Sequence, residues 1–259
     1  VKKAIRISAV SYLNTKPLLF GLVKSGLSNQ IEIHLDIPSV CAQKLKSGEV
    51  DLGLVPVAIL PELEHAEIVT DYCIGSEGPV GTVGIFSERP LGELKRIFLD
   101  FHSRTSVELG KYLLANYWKI DVELLPAFPG FEEQIAGETG GLIIGDRAIT
   151  YASRFPYFYD FGEAWTIHTG LPFVFAAWVS TRPVPAEFLE ELNTAFAAGL
   201  ADLPQLMYLL PSPSPSFDLE EYYRKNISYL LDQPKREALD KFLGILAEAK
   251  KKPVRLLEE

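Results

Sequence analysis

The sequence predicts an α/β protein of two lobes around a central cleft, with two strands crossing between them. Three observations predict it. Residues 4–60 run strand, helix, strand, helix, strand. The same alternation restarts at residue 80. An apolar strand, FVFAAWVS (173–180), then returns late in the chain, ahead of a run of helices. At 259 residues the chain has room for one large domain or for two of about 100–150 residues each.

Each element has a local reason. AIRISAV (4–10) alternates and is β-branched, which reads as a strand. Pro17 suits a first helical turn, where its missing N–H is not needed, and the helix runs through LLFGLVKS to stop near Gly26. In IEIHLDI (31–37), Ile31, Ile33, Leu35 and Ile37 share one strand face. PSVCAQKLKSGEV gives a short helix between Pro38 and Gly48, and DLGLVPVAIL (51–60) is a continuous apolar run suited to a buried parallel strand. Such a βαβαβ opening places ligands at the C-terminal ends of its strands.

The second set reads as strands at VGTVGIFS (80–87), RIFLDF (96–101), VELLPAF (122–128) and GGLIIGDRAI (140–149). Helices fall at HSRTSVELGKYLLANYW (102–118) and AITYASRF (148–155). Residues 185–203 and 217–251 read as amphipathic helices, separated by a stiff PSPSPS loop (211–216). Crossings near residues 88 and 175 divide the chain into lobe 1, residues 1–87 plus 176–259, and lobe 2, residues 88–175. That is the layout of a type 2 periplasmic-binding-protein-like fold, whose natural motion is hinge closure.

Composition narrows the function classes. A hydrophobic share of 47% with 23% charged residues is that of a globular protein. The net charge of −9 argues against a nucleic-acid partner but leaves room for a local anion site. Cys41 and Cys73 read as reduced core thiols. Neither CxxC nor HExxH spacing occurs and the four histidines are scattered, so no metal site is expected. No apolar window has the length of a membrane span, and VKKAIRISAV lacks a leader-like apolar region, so a cytoplasmic protein without membrane contact is expected.

Two junctions hold the candidate chemistry. Between Ser11 and Pro17 a strand end feeds a helix start, where free backbone N–H groups and the positive end of the helix dipole favour an anion. Ser11, Asn14 and Thr15 add polar side chains there. A plain helix cap by Asn14 or Thr15, with Lys16 in solvent, fits the same residues. The pattern recurs at His102–Ser106, where Arg104 can pair with a carboxylate and Ser103 can equally be a simple cap. Two facing helix starts suit a substrate with two negative charges. Thr82 lies just inside the first crossing, Thr169 and Gly170 precede the second, and Asp146 ends a strand as a cap or a cleft residue. His168 is a candidate acid or base, though a lone histidine is more often structural. No GxSxG, P-loop or GxGxxG motif occurs, which points to hydroxyls, an amide and the substrate itself as the reacting groups.

Taken as a set, SYLNTKPL (11–18), GPVGTV (78–83), DFHSRTS (100–106), IIGDRA (143–148) and TGLPFVFAAW (169–178) carry a resemblance over nearly the full length. The sequence resembles the chorismate dehydratases of the futalosine route to menaquinone. SYLNTKPL is the most specific segment, and GLPFVFAxW supports it. The resemblance implies a cytosolic lyase that converts chorismate, a dianion, to 3-[(1-carboxyvinyl)oxy]benzoate without a cofactor. It implies catalytic roles for Asn14 and Thr82, the latter departing from a serine in the family pattern. Ser11, Thr15, Ser103, Arg104, Thr105, Ser106, Asp146, Thr169 and Gly170 become the expected substrate-binding residues. The sister dihydroxynaphthoate synthase carries an SPCPNDTF-like segment and a catalytic histidine that are not recognisable here. A non-catalytic binding protein of the same fold is the other alternative, and oligomeric state stays open.

Overall fold

The computed structural model describes residues 4–251, so the outermost residues assigned to lobe 1 lie outside it. The first lobe opens with strand β1 (Ile5–Val10), helix α1 (Lys16–Lys24), β2 (Ile31–Asp36), α2 (Pro38–Ser47) and β3 (Leu52–Pro56). Gly48 ends α2 in the left-handed conformation, as its place after the last periodic residue predicts. The apolar run at 51–60 is strand only to Pro56. From Val57 to Glu62 it turns into a 3-10 helix that contains Pro61. The long strand β4 (Glu67–Ser76) follows, in a stretch where no element is predicted.

The second lobe holds β5 (Val83–Ser87), β6 (Arg96–Leu99), α3 (Arg104–Leu113), β7 (Glu123–Pro126), β8 (Thr139–Ile144), α4 (Asp146–Tyr151), β9 (Tyr157–Asp160) and α5 (Phe161–Thr169). The chain then returns through β10 (Phe173–Ser180), α6 (Ala186–Ala201), α7 (Leu203–Leu209), the single turn α8 (Leu219–Glu221), β11 (Ser228–Leu230) and α9 (Gln233–Lys251). The C-terminal segment is therefore not purely helical. A π-helical turn at Tyr222–Asn226 and strand β11 interrupt it.

The first sheet has the order β11-β4-β10-β3-β1-β2 and the second the order β7-β6-β8-β5-β9. β1 pairs in parallel with β2 and β3, while β10 runs antiparallel between β3 and β4. β5 pairs antiparallel with β8 and β9. This membership corrects the expected boundary: residues 83–87 belong to the second lobe, and the first crossing falls at 77–82 rather than near 88. The return crossing lies at 170–172, ahead of β10. Strand pattern locates a strand but does not say which sheet it joins.

Cys41 and Cys73 are buried free thiols, each pushed up to about 12 by burial. Among the described residues no helix is long and apolar enough to cross a membrane.

Candidate active-site cleft

The first wall grows from the C-terminal end of β1. Ser11 N–H donates to the Asp36 carbonyl (2.9 Å), tying the chain to β2 as it leaves the sheet. Leu13–Thr15 then form one 3-10 turn that runs into α1, with Pro17 in the first helical turn. This turn is pinned from three sides. Leu13 N–H donates to Asp146 Oδ1 (2.9 Å) in the opposite lobe. The Leu13 carbonyl accepts from Tyr223 (3.1 Å) and the Asn14 carbonyl from Tyr229 (2.8 Å). The buried Thr15 hydroxyl donates to Asn14 Oδ1 (3.1 Å), which leaves the Asn14 NH2 group as the free donor of that side chain.

The second wall is the start of α3. Ser103 is its N-cap, and its hydroxyl accepts from Ser106 N–H (3.4 Å). The remaining first-turn amides have no intrahelical acceptor and carry the positive end of the dipole. The helix is amphipathic and seats Thr105, Ser106 and Leu109 inward.

Between the walls lies a small cavity of about 40 Å³. Val10, Pro56, Ile74, Val83, Ile144 and Phe175 make its sides apolar, and Asn14, Ser103 and Ser106 supply polar groups. Tyr12 is the one ionisable side chain in the lining, and burial pushes its phenol well above the ordinary range.

The lobes are closed on each other. Tyr12 Oη hydrogen-bonds His102 Nδ1 across the cleft, with the two rings nearly parallel. Ser39 N–H donates to the His102 carbonyl (2.9 Å), and Ala58 N–H donates to Thr105 Oγ1 (3.0 Å). Gly145 makes the closure possible. Its φ is +65°, and a Cβ there would sit 2.6 Å from the Tyr12 ring. Behind this contact Arg147 is held between the buried carboxylates of Asp100 and Glu132, so its charge is already matched. Burial lowers the His102 imidazole and raises the Asp146 carboxyl, the latter opposed by the Leu13 N–H.

Of the residues singled out by sequence, Asn14, Ser103 and Ser106 come together on the cavity. Asp146, Thr15 and Ser11 support the Asn14 turn from behind. Thr82 is buried with its hydroxyl 3.1 Å from Tyr222 Oη, while its neighbours Val80 and Val83 line the cavity. Three expectations need correction. Arg104 is half-exposed and pairs with Glu62 and Glu108, so its charge is directed outside the cavity. Thr105 uses its hydroxyl on the Ala58 amide. Thr169 and Gly170 close α5, the Thr169 hydroxyl donating to the Trp165 carbonyl (2.8 Å), and neither lines the cavity. His168 sits at an exposed aromatic cluster with Tyr112 and Tyr117.

Sequence reading missed the tyrosines at 222, 223 and 229, and the pairing of Tyr12 with His102. The Asn226-Ile227-Ser228 break, poor in helix formers and following the Tyr222-Tyr223 pair, was the available signal that the helix stops there.

Two α/β lobes, two crossings and a cleft between strand ends define a periplasmic-binding-protein-like fold. A solved protein from Archaeoglobus fulgidus matches it with a TM-score of 0.71 at 18% identity, covering 95% of this chain and 97% of its own. A Candida albicans gene product described as having the generic periplasmic binding protein fold matches at 0.65 and 12% identity, covering 99% and 92%. At these identities the likeness is one of fold. The chain belongs to the menaquinone biosynthesis family, whose model matches residues 5–248. A relative named chorismate dehydratase, from Thermus thermophilus, is 30% identical over 91% of this chain and 92% of its own length.

Proposed function

We propose that this protein is a cytosolic lyase that removes water from chorismate to give 3-[(1-carboxyvinyl)oxy]benzoate, in the futalosine route to menaquinone. The observation that carries the reading is the shared cavity, in which the Asn14 amide faces the Ser103–Ser106 helix start. The named relative supports it.

The ring C–O bond to the hydroxyl breaks and the neighbouring ring carbon loses its proton. The C–H electron pair becomes a ring double bond, and proton and hydroxide leave as water. Aromatisation drives the step, so the protein has to hold the dianion, orient the ring and exclude bulk water. The Asn14 NH2 group donates to the departing hydroxyl. The α3 helix start, with Ser103 and Ser106, binds a carboxylate. The cavity wall has no carboxylate, imidazole or amine, so the substrate's own enolpyruvyl carboxylate takes the ring proton and passes it to the departing hydroxide, which leaves as water. Thr82, whose hydroxyl is engaged by Tyr222, acts from behind the wall.

The test is incubation of purified protein with chorismate, followed by mass spectrometry. A product lighter by one water is expected. Chorismate bound and returned unchanged would overturn the reading in favour of a binding protein.

A further inference from the structure

The C-terminal segment sends three tyrosine hydroxyls to one place. Tyr222 and Tyr223 begin the π-helical turn and Tyr229 sits in β11, and all three rings are buried. Their hydroxyls reach Thr82 Oγ1 (3.1 Å), the Leu13 carbonyl (3.1 Å) and the Asn14 carbonyl (2.8 Å). These partners lie 140, 210 and 215 residues away in sequence. A continuous α-helix would carry adjacent residues 222 and 223 on through 229 at a fixed rotation. The π-turn and strand instead direct all three hydroxyls toward the Leu13–Thr15 turn and the first crossing. π-turns of this kind are frequent at functional sites.

Resting on the reading above, we propose that Tyr222, Tyr223 and Tyr229 are positioning residues that fix the reacting groups of the cleft. None of them lines the cavity. Tyr223 and Tyr229 hold consecutive carbonyls of the 3-10 turn, so the backbone that carries Asn14 cannot rotate its peptide planes. The Thr15 hydroxyl then sets the rotation of the Asn14 amide itself. Together they present the NH2 group to the cavity at a fixed angle, the condition for a preorganised donor. Tyr222 does the same for the Thr82 hydroxyl.

The test is a double-mutant cycle on chorismate turnover in the full chain, with Tyr229→Phe, Asn14→Ala and the pair. Phenylalanine keeps the buried ring and removes only the hydroxyl. Tyr229→Phe is expected to lower kcat about tenfold or more in the wild-type background with KM nearly unchanged, and to cost less than about twofold on Asn14→Ala. An equal loss in both backgrounds, or no loss, would overturn the proposal. If Tyr229→Phe does not fold, Tyr223→Phe carries the same cycle.

A wild-type chain that leaves chorismate unchanged would sink the assigned reaction but not this arrangement. It is then read in the side-chain NH2 resonances of Asn14, identified by their loss in Asn14→Ala. Those resonances shift or broaden in Tyr229→Phe if the tyrosine positions Asn14, while those of Asn116, exposed in the second lobe with its NH2 group on the Tyr112 carbonyl, stay in place. Unmoved Asn14 resonances would overturn the positioning role.

Discussion

Both walls of the cleft are helix starts that follow a β-strand, yet they distribute their polar groups in opposite ways. In the first lobe, the backbone of 11–15 is tied down by Asp36, Asp146, Tyr223 and Tyr229, and the donor of Asn14 is left free. In the second lobe, the side chains are the groups already engaged. Ser103 caps Ser106, Thr105 holds Ala58 and Arg104 pairs with Glu62, which leaves the first-turn amides and the dipole. The side most richly charged in sequence is therefore not the side that offers a charged side chain to the ligand. One wall is built to present a single side chain, the other to present a field.

If that division is right, the largest effect belongs to Asn14→Ala. Loss of one preorganised donor lowers kcat for chorismate dehydration by about 10²–10³-fold, measured by steady-state product formation. Full turnover in this variant would erase the contrast between the walls.

Gly145→Ala probes the point where the walls touch. The left-handed φ and the Tyr12 ring both oppose a Cβ. The substitution should therefore destabilise the protein by about 1–3 kcal/mol in denaturant titration and open the cleft in solution scattering.

The Tyr12–His102 contact predicts a smaller effect, with a definite sign. Burial lowers the His102 imidazole in the folded chain, so between that value and an unfolded one of about 6.5 the unfolded chain binds more protons. Stability is fully present above that pH and is lost as pH falls through the folded value. Asp146, raised by burial, contributes with the opposite sign. The comparison of wild type with His102→Gln isolates the histidine, and the acid-side slope should flatten in the variant.

The smallest effect is expected at Arg104→Ala. An exposed pair contributes only about 0–1 kcal/mol, and KM for chorismate should change little. A large rise in KM would mean that Arg104 leaves Glu62 to meet the substrate, and that the second wall binds through charge after all.

The elements legible in sequence are those whose signals are local. Alternation gave β1 and β2, and Pro17, Pro38 and Gly48 punctuated α1 and α2. The serine before an amphipathic run gave α3. Strand β4 escaped because Asp71 and Tyr72 interrupt its alternation, α5 because four of its nine residues are buried, and β11 because it has only three residues. The site was legible where a side chain acts near its own backbone, as at Asn14 and the Ser103 cap. It was not legible where distant segments decide the outcome. Nothing in SYLNTKPL announces the tyrosines more than two hundred residues later, and nothing beside Arg104 announces Glu62.

The order of strands in the first sheet also bears on how the protein is made. β10 lies between β3 and β4, and β11 pairs beyond β4, so the N-terminal half cannot close its sheet until residue 173 and those after it have left the ribosome. The second sheet draws only on residues 83–160 and can assemble earlier. During translation, β4 has neither of its native neighbours until those residues emerge, and an unpaired strand with two open edges is a template for pairing with other chains.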